Sequence, residues 1–149
     1  MDSTRPGINY GPHLLADLAG CPKAKMRDGE FVYRFLKNLV VHVGMNPIGS
    51  PHLDLYTGPH REWEGWSATV HIQTSHITAH LFAFGYAFLD VFSCKPFCLE
   101  TTKDYILREL EPEGTVRFQL IGRGENFPRQ LIDPSQLLAA GPDFKKVGS

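Results

Sequence analysis

No apolar run in this sequence approaches the roughly 20 residues that a membrane-spanning helix needs. The N-terminal Met1-Asp2-Ser3-Thr4-Arg5-Pro6 also lacks the apolar core of a secretory signal. No basic run occurs, and the formal net charge over 149 residues is -1, so no nucleic-acid surface and no membrane partner are expected. Cysteine is scarce: Cys21, Cys94 and Cys98 are an odd number without the spacing of a disulfide framework, which suits a reducing, cytoplasmic setting. Internal repeats and low-complexity tracts are missing as well. The chain has the length of one domain, 1–149, and is long enough to bury a core.

The periodicities place the elements. Residues 1 to 8 read as a polar arm and Tyr10 to Leu18 as a first strand. Asp28 is a suitable N-cap for a helix whose apolar residues Phe31, Val32, Phe35, Leu36, Leu39, Val40 and Val43 recur at helical spacing. Gly44 then suits the residue just past its end. Residues 47 to 51 read as a loop, His52 to Tyr56 as a short strand, and Thr57 to Gly65 as a loop containing Trp63. Leu99 to Leu110 reads as a second helix and Thr115 to Ile121 as a last strand, leaving 123–149, with Pro128, Pro134 and Pro142, as a tail. Two helices and about six strands in mostly hairpin order imply an α+β two-layer sandwich, a mostly antiparallel sheet with helices on one face.

The stretch from Ser67 to Cys94 carries the chemistry. From Ser67 to Ser75 apolar Ala68, Val70 and Ile72 alternate with Ser67, Thr69, His71, Gln73 and Ser75, which reads as one strand with Ser67 and Ser75 on its polar side. His76 to Phe82 reads as a shorter strand. Tyr86 to Cys94 reads as another, with Phe88, Asp90, Phe92 and Cys94 on one face and Ala87, Leu89, Val91 and Ser93 on the other. Polar, reactive side chains inside such runs need partners or a task. Taken one at a time they have ordinary explanations. Ser67 and Ser75 can satisfy neighbouring backbone, His80 can be a hydrogen-bonded core histidine, and Cys94 a small buried hydrophobe. The group Phe82, Phe84, Tyr86, Phe88 and Phe92 can be plain core. His71, His76, His80, Cys94 and Cys98 are also suitable metal ligands, but their spacing matches no zinc pattern, and no metal is expected.

Taken together, Gly65-Trp66-Ser67, Ser75-His76-Ile77, His80, Gly85-Tyr86-Ala87 and Asp90-Val91-Phe92-Ser93-Cys94, preceded by Gly11-Pro12-His13-Leu14-Leu15 and Gly20-Cys21, make a pattern. It resembles the short prokaryotic form of the pyruvoyl-dependent S-adenosylmethionine decarboxylases over about residues 8 to 122. The resemblance implies a proenzyme that cuts itself between Thr74 and Ser75. Ser75 attacks the Thr74 carbonyl, and elimination leaves a pyruvoyl group at position 75 as the cofactor. The pyruvoyl ketone is the electrophile that captures a substrate amine and draws off electrons as carbon dioxide departs. The resemblance further assigns His80 to the elimination, Ser67 to processing, and Cys94 to protonation of the carbon left behind. S-adenosylmethionine is the implied substrate, spermidine biosynthesis the implied purpose, and a homo-oligomer of cleaved protomers the implied assembly.

Two departures bear on the substrate. The family usually has Glu before the cleaved serine, where this chain has Thr74. It also has Thr-Trp-Pro-Glu-Tyr where this chain has the shorter Leu81-Phe82-Ala83-Phe84. With both carboxylates gone, Trp63, Trp66, Phe82 and Phe84 are the candidates for holding the substrate sulfonium by cation–π contact. Two other readings stay open: a pyruvoyl-dependent decarboxylase of another amino acid, such as arginine or ornithine, and a non-catalytic relative that keeps the proenzyme fold.

Overall fold

The computed structural model describes residues 8–128. Its first strand, β1 (Ile8–Leu18), is followed by a short helix α1 (Lys23–Arg27) and the long helix α2 (Gly29–Val43). Asp28 accepts hydrogen bonds from the backbone N–H groups of Glu30 and Phe31, a cap worth about 1 kcal/mol. Gly44 ends α2 in the left-handed conformation, at φ 78°, where a side chain would be strained. Strands β2 (Pro47–Tyr56), β3 (Gly65–Ile72), β4 (Ser75–Phe82) and β5 (Ala87–Ser93) follow, then α3 (Leu99–Leu110) and β6 (Val116–Glu125).

The six strands form one sheet in the order β2-β3-β4-β5-β1-β6, and every neighbouring pair is antiparallel. One face is apolar on every inner strand. Leu14, Ala16 and Leu18 of β1, Ala68, Val70 and Ile72 of β3, Ile77, Ala79 and Leu81 of β4, and Ala87, Leu89 and Val91 of β5 are all buried there. They pack with Val32, Phe35, Leu36, Leu39 and Val40 of α2 and with Tyr105, Ile106 and Leu110 of α3. Each large side chain so buried contributes about 1.5–3 kcal/mol. Helices on one face of an antiparallel sheet are the α+β two-layer arrangement that the sequence implies, and the opposite face is left open.

Several boundaries differ from the sequence reading. The strand expected over 67–75 ends at Ile72, because Gln73 and Thr74 form a two-residue turn; Ser75 therefore opens β4 and shares no strand with Ser67. The loop expected at 47–51 belongs to β2, whose register shifts between Ile48 and His52. An edge strand tolerates Pro47 and Pro51 because one side needs no ladder bonds. The short α1 has no apolar period and was not foreseen. The last strand runs on to Glu125, so the first three residues of the expected tail, 123–125, belong to β6; its part past residue 128 lies outside the described residues, as does most of the N-terminal arm.

Candidate active site

The Thr74–Ser75 peptide sits at the β3–β4 turn, at one end of the sheet. Local bonds hold this turn: the Gln73 N–H donates to the Asn46 carbonyl at 2.9 Å, and the Asn46 amide reaches Gln73 Oε1 at 3.5 Å. The Thr74 side chain is buried, its Oγ1 2.8 Å from Ser93 Oγ and 3.5 Å from Met45 Sδ. That small hydroxyl pair suits a threonine here, since a carboxylate so deeply buried would lose its hydration.

The Thr74 carbonyl oxygen accepts two hydrogen bonds, one from the backbone N–H of Cys94 at 3.0 Å and one from the Tyr10 phenol at 3.3 Å. Two strands have to converge to supply them, and Gly11 makes this possible. A Cβ at position 11 would collide with the Ser93 carbonyl oxygen and lie 2.7 Å from Cys94 Cα. Ser75 Oγ lies 3.4 Å from His76 Nδ1. Burial holds the His76 pKa below the ordinary histidine value, and the nearby His13 pushes it the same way; both favour the neutral, proton-accepting form of the ring. Cys94 is buried just past the end of β5.

Ser67 and His80 lie elsewhere. They face each other across β3 and β4 on the open face, with Ser67 Oγ 3.1 Å from His80 Nδ1. His80 is five residues along β4 from Ser75, about 17 Å at 3.3–3.4 Å per residue. Phe82 packs 4.4 Å from the His80 ring and 5.2 Å from Phe84. A shallow cleft of about 320 Å³ extends from this pair over Thr69, Thr78 and Asp90. Asp90 is held by His13 Nε2 at 2.9 Å and by the Thr78 hydroxyl at 3.3 Å.

The two tryptophans do not join this cluster. Trp66 alternates onto the helix-covered face, where its Nε1 donates to the Arg27 carbonyl and its ring lies against Gly29. Trp63 is in a single 3-10 turn and is 64% exposed. His71 and His76 stand directly opposite each other on β3 and β4, although a continuous strand would have pointed them apart. Among the described residues no group of three or more His, Cys, Asp or Glu side chains is arranged to hold a metal ion.

The sequence profile of the S-adenosylmethionine decarboxylase family matches residues 12–124. This chain belongs to that family. The S-adenosylmethionine decarboxylase proenzyme of Persephonella marina is 32% identical over 108 residues, which cover 69% of this chain and 74% of the relative. The proenzyme of Shouchella clausii is 29% identical over 102 residues, covering 67% and 74%. The crystal structure of the adenosylmethionine decarboxylase from Aquifex aeolicus superposes with a TM-score of 0.65 at 29% identity, covering 77% of this chain and 91% of that one. The resemblance seen in the spaced Gly, Ser, His and Cys residues is thereby borne out, and so is the fold.

Sequence reasoning missed Tyr10, His76 and Ser93 as neighbours of the Thr74–Ser75 peptide. His76 was visible as the residue after Ser75. Nothing local pointed to Tyr10, which is 64 residues away in the chain and arrives only because β1 inserts beside β5.

Proposed function

We propose that this chain is a self-cleaving S-adenosylmethionine decarboxylase proenzyme of spermidine biosynthesis, with Ser75 as the source of its pyruvoyl group. One observation carries the reading: the carbonyl that Ser75 would attack already accepts the Cys94 N–H, and the attacking hydroxyl lies 3.4 Å from the His76 imidazole, whose pKa burial lowers. Ser75 Oγ adds to the Thr74 carbonyl carbon while His76 takes its proton. The proton passes to the Ser75 nitrogen as the C–N bond breaks, leaving an ester. Loss of the Ser75 Cα proton then breaks the Cβ–O bond and frees Thr74 as a carboxylate. Addition of water to the resulting dehydroalanine and loss of ammonia leave the pyruvoyl group at position 75.

The residues present fit that group, because the turn offers a half-buried serine, a carbonyl that accepts two hydrogen bonds and a thiol at the adjoining strand end. The pyruvoyl ketone supplies the electron sink for decarboxylating an α-amino acid. Cys94 returns a proton to the substrate carbon. His80 serves the elimination, Ser67 assists processing, and Phe82 and Phe84 flank the substrate cation.

One protomer leaves Ser67–His80 about 17 Å from Ser75, so the complete site is formed by two copies. In a two-fold pair meeting through their open faces, the Ser67–His80 pair of a second copy reaches the turn of the first. The open faces carry Phe84 and Phe88, which are half exposed in the protomer. The three free cysteines suit a reducing cytoplasm.

The test is intact-mass measurement of purified protein. Two fragments, Met1–Thr74 and Ser75–Ser149 with a blocked N-terminus, are expected, and carbon dioxide release should favour S-adenosylmethionine over arginine and ornithine. Ser75→Ala should remain one chain. Cys94→Ala should be cut like wild type, since the backbone N–H is kept, yet lose about 10²–10⁴-fold in turnover. A wild-type chain as uncut as Ser75→Ala would sink the proposal in favour of a non-catalytic relative.

A further inference from the structure

We infer that Tyr10 is a catalytic residue of self-cleavage: its phenol stabilises the oxyanion that forms on Thr74 when Ser75 attacks. The inference rests on the self-cleavage proposed above and adds a residue that the spaced motif does not contain. Tyr10 O–H donates to the Thr74 carbonyl oxygen at 3.3 Å, beside the 3.0 Å bond from the Cys94 N–H. Two donors on one carbonyl, one from β1 and one just past the end of β5, form an oxyanion hole at the one peptide bond the reaction must open. In the ground state the phenol bond is long for an O–H···O contact. Addition of Ser75 Oγ places a full negative charge on that oxygen, so the bond shortens and strengthens as the transition state is reached. An interaction stronger in the transition state than in the ground state is one that accelerates the step.

The phenol is also held in advance. The Tyr10 ring packs 5.2 Å from Phe92 and meets Phe127 edge-on at 5.0 Å. On the strand beyond, Gly124 has no room for a side chain, because a Cβ there would collide with Tyr10 Cβ. Two ring contacts and a close approach at Cβ and the backbone therefore hold Tyr10, and little reorganisation remains when charge develops. The step balances within the chain. The Ser75 Oγ–C bond forms and the carbonyl π electrons move to the Thr74 oxygen, where the phenol and the Cys94 N–H hold them. The charge returns as the C–N bond breaks. Tyr10 donates a hydrogen bond throughout and keeps its proton.

The experiment follows full-length chain made in a short pulse of cell-free synthesis and then chased with hydroxylamine, which cuts the ester as it appears. Under these conditions fragment formation reports the acyl shift alone. Tyr10→Phe should slow it by about tenfold to hundredfold, within or just below the range for loss of one oxyanion donor, with the thermal midpoint of the uncut chain little changed. A Tyr10→Phe rate equal to wild type would overturn the role of Tyr10 while leaving self-cleavage itself intact. A wild-type chain that hydroxylamine never cuts would overturn both.

A second measurement avoids any folding defect of the phenylalanine variant. A ring-difluorinated tyrosine at position 10 keeps the side chain's shape and makes the phenol more acidic. A phenolate cannot donate, so this protein should lose acyl-shift rate at a pH where ordinary tyrosine, which ionises near 10, still supports it. A purely structural Tyr10 predicts superimposable pH profiles, and that result would also overturn the inference.

Discussion

The two ends of the β3–β4 hairpin differ in how their polar groups are satisfied. At the turn, Thr74 and Ser93 are almost wholly buried, and their hydroxyls bond each other. The Thr74 carbonyl is held by a backbone N–H just past the end of β5 and by a phenol from β1. Five residues away, Ser67 and His80 lie on an open face, bonded to each other across the ladder and flanked by Phe82. The first region is preorganised by the protomer's own packing. The second is a hydrogen-bonded pair set apart from the Thr74–Ser75 turn, about 17 Å along β4. The proposed two-copy site rests on this separation.

The largest effect expected from breaking this division comes from mixing two inactive variants. Co-expressed Ser75→Ala and His80→Ala chains should form mixed pairs. In each such pair one site has both residues intact, so about half of its sites work, although each variant alone has none. No recovered decarboxylation in separated mixed pairs would place Ser75 and His80 in the same protomer's site.

A smaller and graded effect separates the two histidines. His76 faces His71, His13, Asp90 and Arg123, and its pKa is lowered chiefly by burial. Its neutral, proton-accepting form therefore persists below the ordinary histidine value of about 6.5. Cleavage should hold constant as pH falls through that value and then drop about tenfold per unit below the lowered pKa. Fragment ratios measured across pH will show it, and a midpoint at or above the ordinary value would count against His76 as the base. Stability follows the same sign. The unfolded chain takes up the proton more readily, so stability contributed by the neutral ring is complete above the ordinary value and is lost as pH falls through the lowered one.

The smallest effect sharpens the open-face region. Phe82→Ala removes the ring beside His80. A cation–π contact of about 0.5–2 kcal/mol corresponds to roughly two- to thirtyfold weaker substrate binding, with cleavage at Thr74–Ser75 unchanged. Equal affinity in the variant would take Phe82 out of recognition.

Much of this molecule is legible without coordinates. The helical recurrence from Phe31 to Val43, bounded by Asp28 and Gly44, is local information, and α2 begins and ends where those residues require. The helix over Leu99–Leu110 agrees in both bounds. Alternation assigns the faces of β3 and β5, and the spacing of Ser67, Ser75, His80 and Cys94 indicates the family. The break between the strands read over 67–75 and 76–82 falls at Gln73-Thr74 instead, because that pair has neither Gly nor Asn to mark it and Ser75 keeps the even spacing from Ser67. A one-residue error in such a place changes which face a side chain occupies.

What the sequence by itself determined is therefore the set of elements, their buried faces and the reactive residue types, because each depends on neighbours within a few positions. Which strands lie side by side was decided only by the tertiary structure. Inserting β1 between β5 and β6 brings Tyr10 to Thr74, and antiparallel pairing of β3 with β4 sets Ser67 against His80 while carrying both away from Ser75. Strand order and register are products of packing across the whole sheet, and a period of two, which names a strand's face, says nothing of its neighbour.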